Sequence, residues 1–117
     1  MPVNVLKQVK TGDSEKDLEI LLVRMIRSLD GEAYKFSSPA RRSVPDRLCV
    51  LPYGVTAFVE IKAPGKIPTL SQGHELIKLT LKGHTATFVN SRESIQDLRG
   101  LLINLMIANK KRGFINS

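Results

Sequence analysis

The sequence predicts an α/β fold, a mixed β-sheet flanked by helices, with elements in the order α-β-β-β-α-β-α. Three observations predict it. Two apolar, β-branched runs flank the short turn Pro52-Tyr53-Gly54 and read as an antiparallel hairpin. Three segments carry apolar residues at helical intervals. A helix-length stretch separates the hairpin from a further strand, so helices pack on a sheet rather than on one another alone.

In the first helix Leu18, Leu22, Met25, Ile26 and Leu29 recur on one face, with Asp13 or Ser14 as N-cap and Gly31 as terminator. Glu15 and Glu19, four apart, share one edge of it. Ala33 to Phe36 reads as a short strand, followed by the polar, basic stretch Ser37-Ser38-Pro39-Ala40-Arg41-Arg42-Ser43, which has the residue types of a loop. Arg47 to Leu51 and Val55 to Ala63 form the hairpin. After Pro64, Gly65 and Pro68, a second helix runs from Thr69 to Leu81, with Leu70, Ile77 and Leu81 at helical spacing, Thr69 or Ser71 as cap and Gly83 as stop. Thr85 to Val89 alternates as a fourth strand, and Ser91 or Ser94 opens a last helix reaching about Lys110. That helix is apolar nearly all round, through Leu101, Leu102, Ile103, Leu105, Met106 and Ile107, which predicts a cover beyond one packing face.

A length of 117 residues suits one domain spanning 1–117, with a core about 14–91 and the last helix about 92–110. With 42% hydrophobic and 25% charged residues and no low-complexity tract, the chain is of the folding kind. Lys and Arg number 18 against 11 acidic residues, giving a net charge of +7, which favours a polyanionic partner such as nucleic acid. A membrane partner is not expected, because no stretch reads as a surface helix with a strongly basic face. Cys49, the single cysteine, lies in the apolar run Leu48 to Leu51 and reads as a small buried hydrophobe. With no basic-then-apolar leader and no apolar run approaching about 18 residues, a cytoplasmic location is expected.

The hairpin carries the chemistry. Centred on Tyr53, it sets Asp46 opposite Glu60, with Cβ atoms about 5 Å apart, and like charges so placed destabilise a sheet unless a cation lies between them. Lys62, two residues after Glu60 on one strand, projects from the same face. Paired carboxylates suit a hard cation such as Mg²⁺ or Mn²⁺, and the lysine can orient a water or stabilise charge on a phosphate. These are the parts needed for phosphodiester hydrolysis. Such a spacing alone is common, yet Ala57, Phe58, Val59 and Ile61 mark a core strand, where charged residues are rare without a reason. His74 and His84, ten positions apart, lack a metal-ligand spacing and read as surface residues. A non-catalytic basic nucleic-acid-binding protein is the alternative from another class, since the charge and the basic loop equally permit it.

The run Lys35-Phe36-Ser37-Ser38-Pro39, then Val44-Pro45-Asp46-Arg47, then Phe58-Val59-Glu60-Ile61-Lys62-Ala63-Pro64-Gly65, and then Gln72, resembles the viral replication and repair nuclease (VRR-NUC) domain. This is a branch of the PD-(D/E)xK nucleases, and the likeness spans about Glu15 to Ser91. Joint occurrence of these parts in order is far more specific than the ExK triplet alone. The resemblance implies a restriction-endonuclease-like core and a Mg²⁺- or Mn²⁺-dependent endodeoxyribonuclease working in DNA repair, recombination or replication. It implies that Asp46, Glu60 and the Ile61 carbonyl bind metal, that Lys62 positions the attacking water and that Gln72 lies beside the site. It also implies a metal-side glutamate on the first helix, for which Glu15 and Glu19 are both candidates and Glu19, nearer the first strand, is preferred. Stand-alone members similar in size include homodimers that resolve four-way DNA (Holliday) junctions. A homodimer burying Leu102, Leu105 and Met106 of the last helix is therefore expected, on branched DNA in a bacterium or phage-infected cell, the alternative for that helix being that it packs across its own sheet. Arg41 and Arg42, with Lys35 and Lys66, are the expected phosphate contacts.

Overall fold

In the computed structural model, which describes residues 13–113, four strands form one sheet in the order β1-β2-β3-β4: Glu32–Lys35, Arg47–Val50, Thr56–Ile61 and Thr85–Val89. The first three run antiparallel in sequence, and β4 lies parallel to β3. Helix α1 (Glu15–Ser28) precedes the sheet, α2 (Leu70–Leu81) makes the crossover from β3 to β4, and α3 (Arg92–Lys111) follows. The order is the predicted one, and the sheet is mixed as predicted.

The local chemistry explains the boundaries. Ser14, not Asp13, caps α1: its Oγ accepts from the Asp17 amide while Asp17 accepts from the Ser14 amide, a reciprocal box. Asp13 instead pairs with Arg92 at 3.0 Å, both side chains mostly buried, which ties the starts of α1 and α3 together. Thr69 and Ser91 cap α2 and α3. At the end of α1 the residue in left-handed conformation is Asp30, with φ 65°, whose amide donates to the Arg27 carbonyl while that of Gly31 donates to Ile26. Gly31 is required for a different reason. A Cβ there would lie 2.7 Å from the Val50 carbonyl oxygen, so β2 approaches where only glycine fits.

The hairpin register is that of a turn centred on Tyr53: Arg47 pairs with Val59, Leu48 with Phe58, Cys49 with Ala57 and Val50 with Thr56. Tyr53 and Gly54 both have positive φ, 60° and 71°, a primed turn whose twist matches the strands it joins. Strand alternation then divides the sheet. Cys49, Ala57, Val59 and Ile61 face the core with Leu18, Leu22 and Ile26 of α1 and Ile95, Leu98 and Leu102 of α3. Phe58 and Lys62 face the other way, toward His84 and Gln72, where α2 packs along β4. Burial pushes the Cys49 thiol up to about 12, as expected of a cysteine acting as a hydrophobe.

The last helix spends part of its apolar surplus within the chain: Leu102 is fully buried, and Leu105 and Met106, half-buried, pack against the same core. Their burial is explained by α3 lying over the core beside α1 and β4, which wets only its outer edge, including Leu101 and Ile107. No helix among the described residues is long and apolar enough to cross a membrane.

Candidate active site

Glu60 stands near the end of the central strand β3, between β2 and β4, and is 3% exposed, the charged side chain buried among the described residues. The hairpin register carries one step past the ladder to bring Asp46 beside it. Asp46 follows the fully buried Pro45, and its backbone carbonyl accepts from the Phe36 amide at 2.9 Å, so its position is held from both flanking strands. Its Oδ2 accepts from the Ile61 amide at 2.8 Å, which clamps the carboxylate to the residue after Glu60.

The electrostatics follow from that geometry. Burial, first, and the Asp46 charge push the Glu60 carboxyl up from 4.5 to about 7, with a smaller push from Glu15, while Lys62 and the Asp46 amide pull it down. The proximity that raises it is what a bound cation would relieve. Lys62 Nζ donates to Gln72 Oε1 at 3.2 Å, and the Lys62 amide donates to Val89 at 2.9 Å, extending the parallel ladder under it. Gln72 Oε1 also accepts from the Thr69 amide at 2.9 Å, closing the cap of α2. One glutamine thus fixes both the helix start and the lysine.

The two first-helix glutamates have separate surroundings. Glu19 Oε2 accepts from Arg47 at 3.0 Å, and Arg47 also donates to the Ala33 carbonyl at 2.9 Å, in a largely enclosed pair. Its carboxylate is taken up in holding α1 to β1 and β2. Glu15, exposed in the first turn of α1, is the one whose charge acts on Glu60. Arg47 entered the sequence reading only as the last residue of the Val44-Pro45-Asp46-Arg47 run, and no local pattern marks its pairing with Glu19. The pairing joins positions 28 apart in the chain.

Of the expected phosphate contacts, Lys35, Arg42 and Lys66 are exposed, whereas Arg41 is paired with Glu75 of α2. That pair straps the loop before Asp46 to α2. A second strap, Asn90 Nδ2 to the Lys66 carbonyl at 2.8 Å, holds the loop after Lys62 to the end of β4. Neither strap had a sequence signal. The Thr69-x-x-Gln72 box did have one, the Ser/Thr-x-x-Glu/Gln pattern of helix starts. His74 is exposed, and His84 packs edge-on against Phe58 with ring centres 6.0 Å apart. Among the described residues no three His, Cys, Asp or Glu side chains converge as a ready-made metal cage. The donor set on offer is two carboxylates and backbone carbonyls, with Glu15 nearby, which suits a hard cation that keeps part of its water.

No family model matches the chain. It is similar to "Putative nuclease p44" of Acyrthosiphon pisum secondary endosymbiont phage 1, 47% identical over 88 residues that make up 75% of this chain and 90% of that protein. Among solved structures it is similar to a chain described as "VRR_NUC domain", with a TM-score of 0.70 at 27% identity, covering 74% of this chain and 95% of that one.

Proposed function

Because this chain belongs to the viral replication and repair nuclease family, we propose that it hydrolyses DNA phosphodiester bonds in a metal-dependent reaction at Asp46, Glu60 and Lys62. The observation that carries the proposal is the Glu60 carboxylate, buried against Asp46 with Lys62 as the cation acting on it. Two carboxylates beside one ammonium leave a net negative site, which fits Mg²⁺ or Mn²⁺ held by Asp46, Glu60 and the Ile61 carbonyl. When bound, such an ion supplies charge stabilisation at the phosphoryl group and a more acidic water.

The chain's own groups do the positioning. Asp46, clamped by the Ile61 amide, presents its free oxygen in one orientation. Lys62, steered by Gln72, is placed to hold the attacking water or to neutralise charge growing on the phosphate. Lys35, Arg42 and Lys66 supply exposed positive charge for the flanking backbone, and Arg41 joins them when phosphate displaces Glu75. Branched DNA, four-way junctions included, is the proposed substrate class, on the strength of the resemblance.

The test is cleavage of duplex, flap, splayed-arm and four-way-junction DNA with Mg²⁺, with Mn²⁺ and with chelator. Metal-dependent nicks favouring branched substrates are expected. Retardation of the same DNA without any cutting would replace the enzyme with a binding protein.

Glu15 is proposed as the first-helix carboxylate of the site, in place of Glu19, because Glu15 acts on Glu60 while Glu19 is held by Arg47. Glu15→Gln is expected to weaken metal-supported cleavage about 10-fold or more with an unchanged melting temperature. Glu19→Gln is expected to lower stability by about 1–3 kcal/mol through the freed Arg47. A Glu15→Gln enzyme with wild-type metal dependence would remove Glu15 from the site.

A further inference from the structure

Strand alternation gives the sheet a second apolar surface, on the side away from the core. The register sets Tyr34, Leu48 and Phe58 in one row across β1, β2 and β3, and Phe36, Asp46 and Glu60 in the next. His84, just before β4, extends the first row, its ring centre 6.0 Å from that of Phe58, and the Phe36 and Phe58 ring centres lie 5.7 Å apart. Helix α2 packs along β4, and over the other strands this side meets water: Tyr34 is 57% exposed, His84 is exposed, and Leu48, Phe58 and Phe36 are half-buried. A contiguous patch of this kind marks a binding surface. We infer that it is a stacking platform for unpaired DNA bases beside the phosphate held at Asp46 and Glu60.

The occupant follows from what the patch adjoins. The aromatic row and the carboxylate row are two residues apart along the strands, about 7 Å. A phosphate reaching the carboxylates therefore sets the neighbouring base over the rings. A protein partner seated on the patch would cover the carboxylates as well and shut the site. Rings that stand out from a sheet offer their faces to bases, and any base has a face to stack, so contact of this kind needs no particular sequence. A base inside a duplex shows only its edges in the grooves, so the nucleotide on the platform must be unpaired or splayed out. Charge sets the direction of the strand. Exposed Lys35 and Arg42 lie at the carboxylate end, whereas Asp30 and Glu32 lie beyond Tyr34 at the start of β1 and repel further phosphates. The inference rests on the reading of Asp46 and Glu60 as the place of the scissile phosphate, and adds that the nucleotide next to it is unpaired.

Binding without cutting tests it. The probes are an oligothymidylate of about 12 nucleotides and an abasic strand of the same length, which carries the same charge and no bases. In chelator the wild-type chain is expected to bind oligothymidylate about 10-fold or more tighter than the abasic strand, since each stacked base is worth about 5- to 150-fold. Tyr34→Ala, altered at an exposed edge position, is expected to lose about 5-fold or more of the oligothymidylate affinity with an unchanged circular dichroism spectrum. Tyr34→Phe, which keeps the ring, is expected to retain it. The chain holds two tyrosines and no tryptophan, so in Tyr53→Phe the emission is that of Tyr34. Oligothymidylate is expected to quench that emission and the abasic strand to leave it unchanged. Equal affinity for the two strands, an unquenched Tyr34, wild-type binding by Tyr34→Ala or weakened binding by Tyr34→Phe would each overturn the platform. A chain that cuts branched DNA yet binds both strands equally overturns the platform alone, and one that prefers oligothymidylate yet never cuts overturns the activity alone.

Discussion

Replacing Asp46 with Asn is expected to abolish DNA cleavage, by roughly 10³-fold or more, while the fold stays at least as stable as wild type. The amide substitution is chosen for a structural reason. Asp46 Oδ2 accepts from the Ile61 amide, and the Asn carbonyl oxygen can accept the same bond, so only the charge is lost. Asp46→Ala would leave that amide without its partner and cost about 1–3 kcal/mol on top of the loss of activity. Lys62→Met, which keeps the length of the side chain, is expected to lose cleavage by about 10²-fold or more while Gln72 still caps α2 through Thr69. Thermal melts beside a nicking assay separate the two effects. Full cleavage by either Asp46→Asn or Lys62→Met would sink the site assignment.

Without divalent metal, the protein is expected to lose stability as pH rises from about 4.5 to about 7, because that is the interval over which burial has displaced the Glu60 carboxyl. The sign follows from proton counting. Within the interval the folded chain retains a proton on Glu60 that the unfolded chain has released, so raising pH favours unfolding. A displacement from 4.5 to about 7 corresponds to about 3 kcal/mol, fully lost above neutrality. Glu60→Gln, which cannot ionise, is expected to be more stable than wild type by about that amount at pH 8 in chelator, equal to it near pH 4, and inactive. Mg²⁺ or Mn²⁺ is expected to raise the wild-type melting temperature at pH 8 and to leave Glu60→Gln nearly unmoved, since ligand bound to the folded state alone stabilises it. If Glu60→Gln melts no higher than wild type at pH 8 in chelator, the burial of a strained carboxylate is not what shapes this site.

Both expectations rest on the hairpin, and the hairpin was the most legible part of the chain. A three-residue turn between two β-rich runs leaves little freedom of register, and one step of slippage would turn Ala57, Val59 and Ile61 out of the core. The placement of Asp46 beside Glu60, and of Lys62 on the same side, followed from that constraint. The helix starts were legible to within a residue or two, since capping is local chemistry. Asp13 and Ser14 are both capping residue types, so the sequence left the choice open, and in the fold Asp13 is taken by Arg92, 79 positions away.

What the sequence determined by itself was therefore what adjacent residues decide: element order, hairpin register, caps, and the family likeness carried by Asp46, Glu60, Lys62 and Gln72. Only the tertiary structure decided how distant side chains are divided among competing uses. Glu15 and Glu19 lie on one helix edge and look alike in the chain, and they part because Arg47 of β2 binds one of them. The apolar residues of α3 and α2 looked like a surplus and an ordinary helix face, respectively. Packing reverses them: α3 spends Leu102 on the core, and α2, turned by the parallel crossover, leaves Leu70, Ile77 and Leu81 in water. The physical reason is common to all these cases. Periodicity states which residues share a face, and only the arrangement of the elements states what that face meets.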